Sequence, residues 1–232
     1  MSPPPEPPSG FFVLDKPAGI SSARALNAVK RRLPRGTKVG HAGTLDPFAT
    51  GVLVVLVGRA TKQCERVMGL PKGYEATIRL GATTPTFDPE GEISPTPGAT
   101  PRDPADVAAV LGRFSGDIEQ VPPAFSAIKV GGRRAYDLAR GGAEVPLRPR
   151  RVRVDRVELV RYAWPDLDVA VDVGRGFYVR SFARDVGDAL GVGGYLTRLR
   201  RTFVGPFGVA SAGDLAGEPL PLLPLDFLDA AP

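Results

Sequence analysis

The sequence predicts an α+β protein built as one large domain, or one domain with small insertions. Runs such as Gly73–Gly81 and Arg148–Val160 alternate apolar and polar residues with the period of a half-buried strand. Ala23–Leu33 instead repeats Leu26, Val29 and Leu33 at helical spacing, with basic residues between them. With 232 residues, 43% of them hydrophobic and 24% charged, the chain has the make-up of an ordinary soluble protein with a substantial core.

The elements follow in order. Residues 1–9, mostly proline and serine, are expected to form a disordered tail, because they can neither pair in a sheet nor bury apolar surface. Gly10–Leu14 reads as a short apolar strand ended by Asp15-Lys16-Pro17-Ala18-Gly19. Ser21-Ser22 is a good N-cap for the helix over Ala23–Leu33, and Pro34-Arg35-Gly36 ends it. Gly40–Gly51 holds three glycines, the only histidine of the chain and an Asp-Pro pair, which makes it a shaped loop. It enters the apolar run Val52–Val57, a buried strand, and such a junction can hold a reactive side chain rigidly.

Ala60–Met68 looks helical, and Thr83–Gly91 is a polar turn region. A proline-rich loop over Ser94–Asp103 leads to a helix over Pro104–Phe114 with proline in its first turn. Asp137–Gly141 suggests a short helix that ends in a mobile insertion at Gly141-Gly142. Arg148–Val160 fits a strand with one wet, arginine-rich face; a dedicated phosphate track is the alternative, and Leu167–Val173 is the expected partner strand. Gly174–Ser181 opens a helix running to about Leu190, and one short helix is possible near Ser211.

Composition narrows the function. No apolar run approaches the ~20 residues that span a bilayer, and the N-terminus lacks the pattern of a secretion signal, so a cytoplasmic protein is expected. Cys64 and His41 are each the only residue of their kind, which argues against a cysteine or histidine metal centre and leaves only carboxylates for hard cations. A net charge of +5 and a pI of about 9.6 suit an anionic partner, although proteins without one are often basic too. Arginine outnumbers lysine, and a planar guanidinium forks onto phosphate and stacks on bases. Lys30, Arg31, Arg32, Arg35 and Lys38 form a basic cluster beside the glycine-rich loop, either a solvated face or a set of phosphate contacts.

Gly40-His41-Ala42-Gly43-Thr44-Leu45-Asp46-Pro47-Phe48-Ala49-Thr50-Gly51 resembles the G-H-x-G-x-L-D-P-x-A-T-G motif of the bacterial tRNA pseudouridine-55 synthases, the TruB family. Leu14–Gly19 resembles the family's opening L-D-K-P-x-G, and Thr86–Gly91 echoes its T-x-D-x-x-G. Pro122–Tyr136 is similar to P-P-x-Y-S-A-x-K-x-x-G-x-R-x-Y, with Phe125 in place of the first tyrosine. Gly176–Arg180 is similar to G-T-Y-I-R, with Phe177 in place of threonine, and Gly193–Thr202 completes the match, which covers nearly all of residues 10–210.

The resemblance implies a pseudouridine synthase fold: a mixed, mostly antiparallel sheet with flanking helices and an RNA-clamping insertion. Residues 10–210 would be the catalytic domain and 211–232 a short C-terminal extension. Many relatives continue into a C-terminal RNA-binding domain of PUA type, and a short form without a complete one is expected here.

The resemblance also assigns the site. Asp46 is the nucleophile, and Arg180 pairs with it. Tyr74 stacks on the target base and takes the proton that must leave, although an aromatic on a strand also fits core packing. His41 fills the space left by the flipped base, Tyr178 lines the uracil pocket, and Leu199 packs on the base. Lys129 lies in the region that clamps the T-arm. Lys16 and Pro17 support the loop.

The implied partner is the T-arm of tRNA. The enzyme would be a monomer with no membrane and no obligatory protein partner. The reaction exchanges one bond to C1′ for another without redox change, so no cofactor or metal is expected. The rivals are a guide-dependent RNA pseudouridine synthase and a tRNA-folding chaperone; a glycosidase would need a second acid near Asp46 that the sequence does not show.

Overall fold

The structure, a computed structural model, describes residues 8–126, 129, 130, 133, 134, 146–215 and 221–230. Most of the proline-rich tail and the insertion expected at 137–142 fall outside the described residues. The chain divides into two compact units: residues 1–74 with 200–232, and residues 75–199.

The first unit is organised around strand β3 (Thr50–Val57). Strand β1 (Gly10–Lys16) runs antiparallel to it, from Gly10 opposite Val57 to Lys16 opposite Gly51. Strand β2 (Val39–His41) is also antiparallel to β3, so the first residues of the predicted loop are extended. Both faces of β3 are covered. Val52, Val54 and Leu56 pack with Phe11, Val204 and Phe207, while Leu53, Val55 and Val57 pack with Phe12, Ala25 and Val29. A strand buried on both faces has no polar side to show, which is why the sequence reads as an unbroken apolar run.

Helix α1 (Ser22–Lys30) starts at Ser21, whose hydroxyl accepts from the Arg24 amide at 3.2 Å, as the sequence predicts. The helix predicted over 60–68 is split: a 3-10 segment at Gly58–Gln63 precedes helix α2 (Cys64–Gly69). Strand β4 (Lys72–Leu80) carries the chain into the second unit.

In the second unit, strands β5 (Ala82–Thr83) and β6 (Ser94–Pro95) pair with each other. Helix α3 (Pro104–Gly112) is capped by Asp103, whose carboxylate accepts from the Ala105 amide at 2.7 Å. Strand β7 (Gly116–Gln120) was not legible in the sequence. Strands β8 (Lys129–Val130) and β9 (Arg133–Arg134) form a separate pair. Strands β10 (Arg150–Ala163) and β11 (Asp166–Val173) are the antiparallel partners that the sequence predicts, and β10 also pairs antiparallel with β7. Helix α4 (Val179–Ala189) begins later than the glycine-rich segment suggests. The strand order is β12–β4–β11–β10–β7, where β12 (Gly194–Val204) returns the chain to the first unit.

There β12 runs parallel to β3, with Arg201 opposite Gly51. Gly51 has φ +99, and a Cβ built on it would stand 2.1 Å from the Arg201 carbonyl oxygen. Only glycine allows this turn and this approach together. After strand β13 (Phe207–Gly208) and a 3-10 turn at Val209–Ser211, the chain crosses the open edge of β1: the Phe11 amide donates to Leu223 O at 2.9 Å and the Asp15 amide to Gly213 O at 2.9 Å. Helix α5 (Phe227–Ala230) ends the described chain, and Arg66 pairs with Asp229 at 2.7 Å. The fold is α+β and mostly antiparallel, as the sequence predicts. No helix among the described residues is long and apolar enough to cross a membrane.

Candidate active site

Asp46 lies between β2 and β3 on a segment held by backbone contacts. The Ser22 hydroxyl accepts from the Leu45 amide at 2.8 Å and donates to the Leu45 carbonyl at 2.9 Å. The Gly19 amide donates to Pro47 O at 2.8 Å, and the Ala49 amide to Asp46 O at 3.1 Å. Lys16 is fully buried; its Nζ donates to Pro17 O at 2.9 Å, Ile20 O at 2.9 Å and Pro47 O at 3.3 Å. The loop is thus held at several points through its main-chain groups.

The cations around this loop are unevenly charged. Burial draws the Lys16 ammonium down to about 8; the Asp46 carboxylate pulls it back up, and Arg201 pushes it down again. Burial first, and then Arg201, lowers His41 below its ordinary range, so its imidazole is neutral at neutral pH. His41 Nδ1 is buried and has no hydrogen-bond partner among the described residues.

The Lys16 proton makes a checkable prediction. Below about pH 8 the folded and unfolded chains both hold it; between about 8 and 10.5 only the unfolded chain does, so stability rises with pH in that window. Urea unfolding is expected to show this rise, about 2 kcal/mol between roughly pH 7.5 and 9.5, in wild type relative to Lys16→Met. Parallel pH profiles for the two proteins would contradict it.

Tyr74, on β4, is 9% exposed and belongs to the first unit. Lys129, Tyr178, Arg180 and Leu199 belong to the second. Arg180, 6% exposed, opens α4 and forms an ion pair with Asp88 at 3.2 Å; its guanidinium also donates to Thr86 O at 3.1 Å and Phe125 O at 2.7 Å. Asp88 accepts from Thr86 Oγ1 at 2.6 Å and from the Glu90 amide at 3.0 Å. The turn that carries it places Phe87, a non-glycine residue, at φ +59, a backbone strain of the kind found at functional sites. Tyr178 is fixed by Gln120, whose amide group accepts from its N–H at 2.8 Å and donates to its carbonyl at 3.1 Å. Leu199 is buried on β12. The Lys129 side chain lies outside the described residues.

The contacts of Ser22, Arg201, Asp88 and Gln120 could not be read from the sequence, although Arg201 stands in a basic edge with Arg198 and Arg200, and Asp88 in the stretch that echoes T-x-D-x-x-G. For Arg201 a signal existed: strand alternation puts it on the same face as buried Leu199, with Arg200 on the other. Arg200 meets Asp15 at 2.7 Å instead.

The two arginine-rich surfaces differ. On β10, Arg151 pairs with Asp117, Arg153 with Asp155, Arg156 with Glu158, and Arg161 with Asp168. These favour the wet strand face over a phosphate track. Lys30, Arg31, Arg35 and Lys38, exposed at and after the end of α1, have no carboxylate partner among the described residues.

The profile of the TruB family pseudouridylate synthases, N-terminal domain, matches residues 30–179. The tRNA pseudouridine synthase B of Mycobacterium sp. (strain KMS) is 51% identical over 217 residues, covering 90% of this chain and 73% of the relative. That of Mycobacterium tuberculosis (strain ATCC 25618 / H37Rv) is 49% identical over 224 residues, covering 94% and 75%. Among solved structures, a Cbf5-Nop10-Gar1 complex includes a chain similar to this one, with a TM-score of 0.65 and 32% identity over 86% of this chain; the match spans 50% of that longer chain. The chain belongs to the TruB family of pseudouridylate synthases.

Proposed function

We propose that this chain isomerises uridine to pseudouridine at position 55, in the T-loop of tRNA. The observation that carries the reading is the 51% identity to a tRNA pseudouridine synthase B, which extends over 90% of the chain. The bond from C1′ to N1 breaks and one from C1′ to C5 forms; C5 loses a proton and N1 gains one, so atoms and electrons balance without a cofactor. Asp46 is the nucleophile, and its covalent adduct divides the exchange into two easier steps. Arg180 favours its ionised form, as a neighbouring cation does.

A base inside a folded T-loop must be flipped out, at a cost of a few kcal/mol in stacking. Neutral His41 fills the vacated place, Tyr74 stacks on the base and accepts the C5 proton, Tyr178 and Leu199 line the pocket, and Lys129 helps hold the T-arm. Lys16 and Pro17 keep the loop in shape. The enzyme works in the cytoplasm as a monomer and needs no obligatory protein partner.

The test is tritium release from an unmodified tRNA transcript labelled at uracil C5. Release from wild type supports the reading; tight tRNA binding with no release favours the chaperone.

Lys30, Arg31, Arg35 and Lys38, which have no carboxylate partner among the described residues, fit RNA phosphate. Replacing Lys30, Arg31, Arg35 and Lys38 with Gln is expected to reduce the slope of log affinity against log salt by about 2–3, with kcat kept. An unchanged slope would show that this face touches no phosphate.

A further inference from the structure

Arg201 is one of the largest fully buried side chains, at 1% exposure, and its guanidinium is no part of a paired surface. Nε donates to Val52 O at 2.6 Å and Nη2 to Gly43 O at 3.1 Å. No carboxylate lies within ion-pair distance of it among the described residues. Nη1 also lies against the Gly43 backbone, 3.6 Å from where a Cβ would stand, at a residue whose φ of +90 favours glycine.

Stability does not explain such a group. Burying an ion costs several kcal/mol, and an apolar side chain of similar volume often serves a core as well or better. What arginine adds is a rigid fork, with N–H groups that can meet acceptors on two chain segments at once. Here those acceptors are residues 43 and 52, on either side of Asp46 in the chain. Ser22 grips the segment between them at residue 45, and Lys16 at residue 47. Gly51, against the Arg201 backbone, closes the same arrangement from the main-chain side.

We infer that Arg201 is a positioning residue for catalysis: its guanidinium ties the two ends of the Asp46 loop together and so fixes the direction of the carboxylate. The inference rests on Asp46 being the nucleophile. A carboxylate held in attack geometry gains rate chiefly through orientation, and small misplacements are costly.

The test uses Arg201→Met and Arg201→Lys in the full chain, with the kinetics of tritium release from tRNA and amide hydrogen exchange over residues 42–51. For Arg201→Met, kcat is expected to fall about 10²-fold with KM for tRNA within about 3-fold, and loop amides to exchange at least about 10-fold faster while β1 is unchanged. Arg201→Lys keeps the charge without the fork and should recover little of either; it carries the same readings should Arg201→Met fail to fold. Wild-type kcat, or unchanged loop exchange, overturns the role. If the loop loosens while wild type itself releases no tritium, the synthase reading fails and the positioning of the loop stands.

Discussion

Asp46→Asn is expected to abolish product formation, by about 10⁴-fold or more, while tRNA affinity stays within a few-fold of wild type. The amide has nearly the carboxylate's shape but no charge and negligible nucleophilicity. The loop should survive the change, because its ties run to main-chain groups at residues 43, 45, 47 and 52. The lost charge would reach Lys16, whose proton the Asp46 carboxylate helps to retain, so the Lys16 ammonium should titrate lower still in the variant. Tritium release, tRNA binding by filter retention and thermal unfolding, measured on one preparation, separate these effects. Release at the wild-type rate would mean that another group attacks the nucleotide.

Much of the fold was legible in the sequence because it rests on local rules. Ser21 and Asp103 cap helices as their side-chain chemistry dictates, and the valine-rich run at 52–57 is the strand buried on both faces. Local rules also account for what was missed. Gly116–Gln120 carries two acidic residues and one isoleucine; β10 supplies the hydrogen bonds that make it a strand, from a partner about thirty or more residues away in the chain. Val39–His41 is short and glycine-bearing, and it is extended through pairing with β3.

The site divides in the same way. The motif around Asp46 is a contiguous string, but the side chains that hold it come from residues 16, 22 and 201; Lys16 and Arg201 fall within stretches that resemble the family, and Ser22 does not. Asp88 lies in a turn whose threonines mark it as structured; its ion pair with Arg180, 92 residues later, is a tertiary fact that no local pattern encodes.

That ion pair sets the second large effect. Arg180→Ala would leave Asp88 buried at 4% side-chain exposure with its cation gone, and an uncompensated buried charge costs about 3–5 kcal/mol. The variant should therefore lose both stability and turnover, and activity alone cannot tell the two apart. Arg180→Met combined with Asp88→Asn can. The asparagine keeps an oxygen for Thr86 Oγ1 and the Glu90 amide, and neither residue is then charged, so most of the stability should return. Turnover should stay about 10²-fold or more below wild type, with tRNA affinity much less affected, if the guanidinium acts on the reaction itself. Urea unfolding and tritium release on the two variants decide it: recovery of turnover together with stability would reduce Arg180 to a structural partner of Asp88, whereas stability without turnover assigns it to the chemistry.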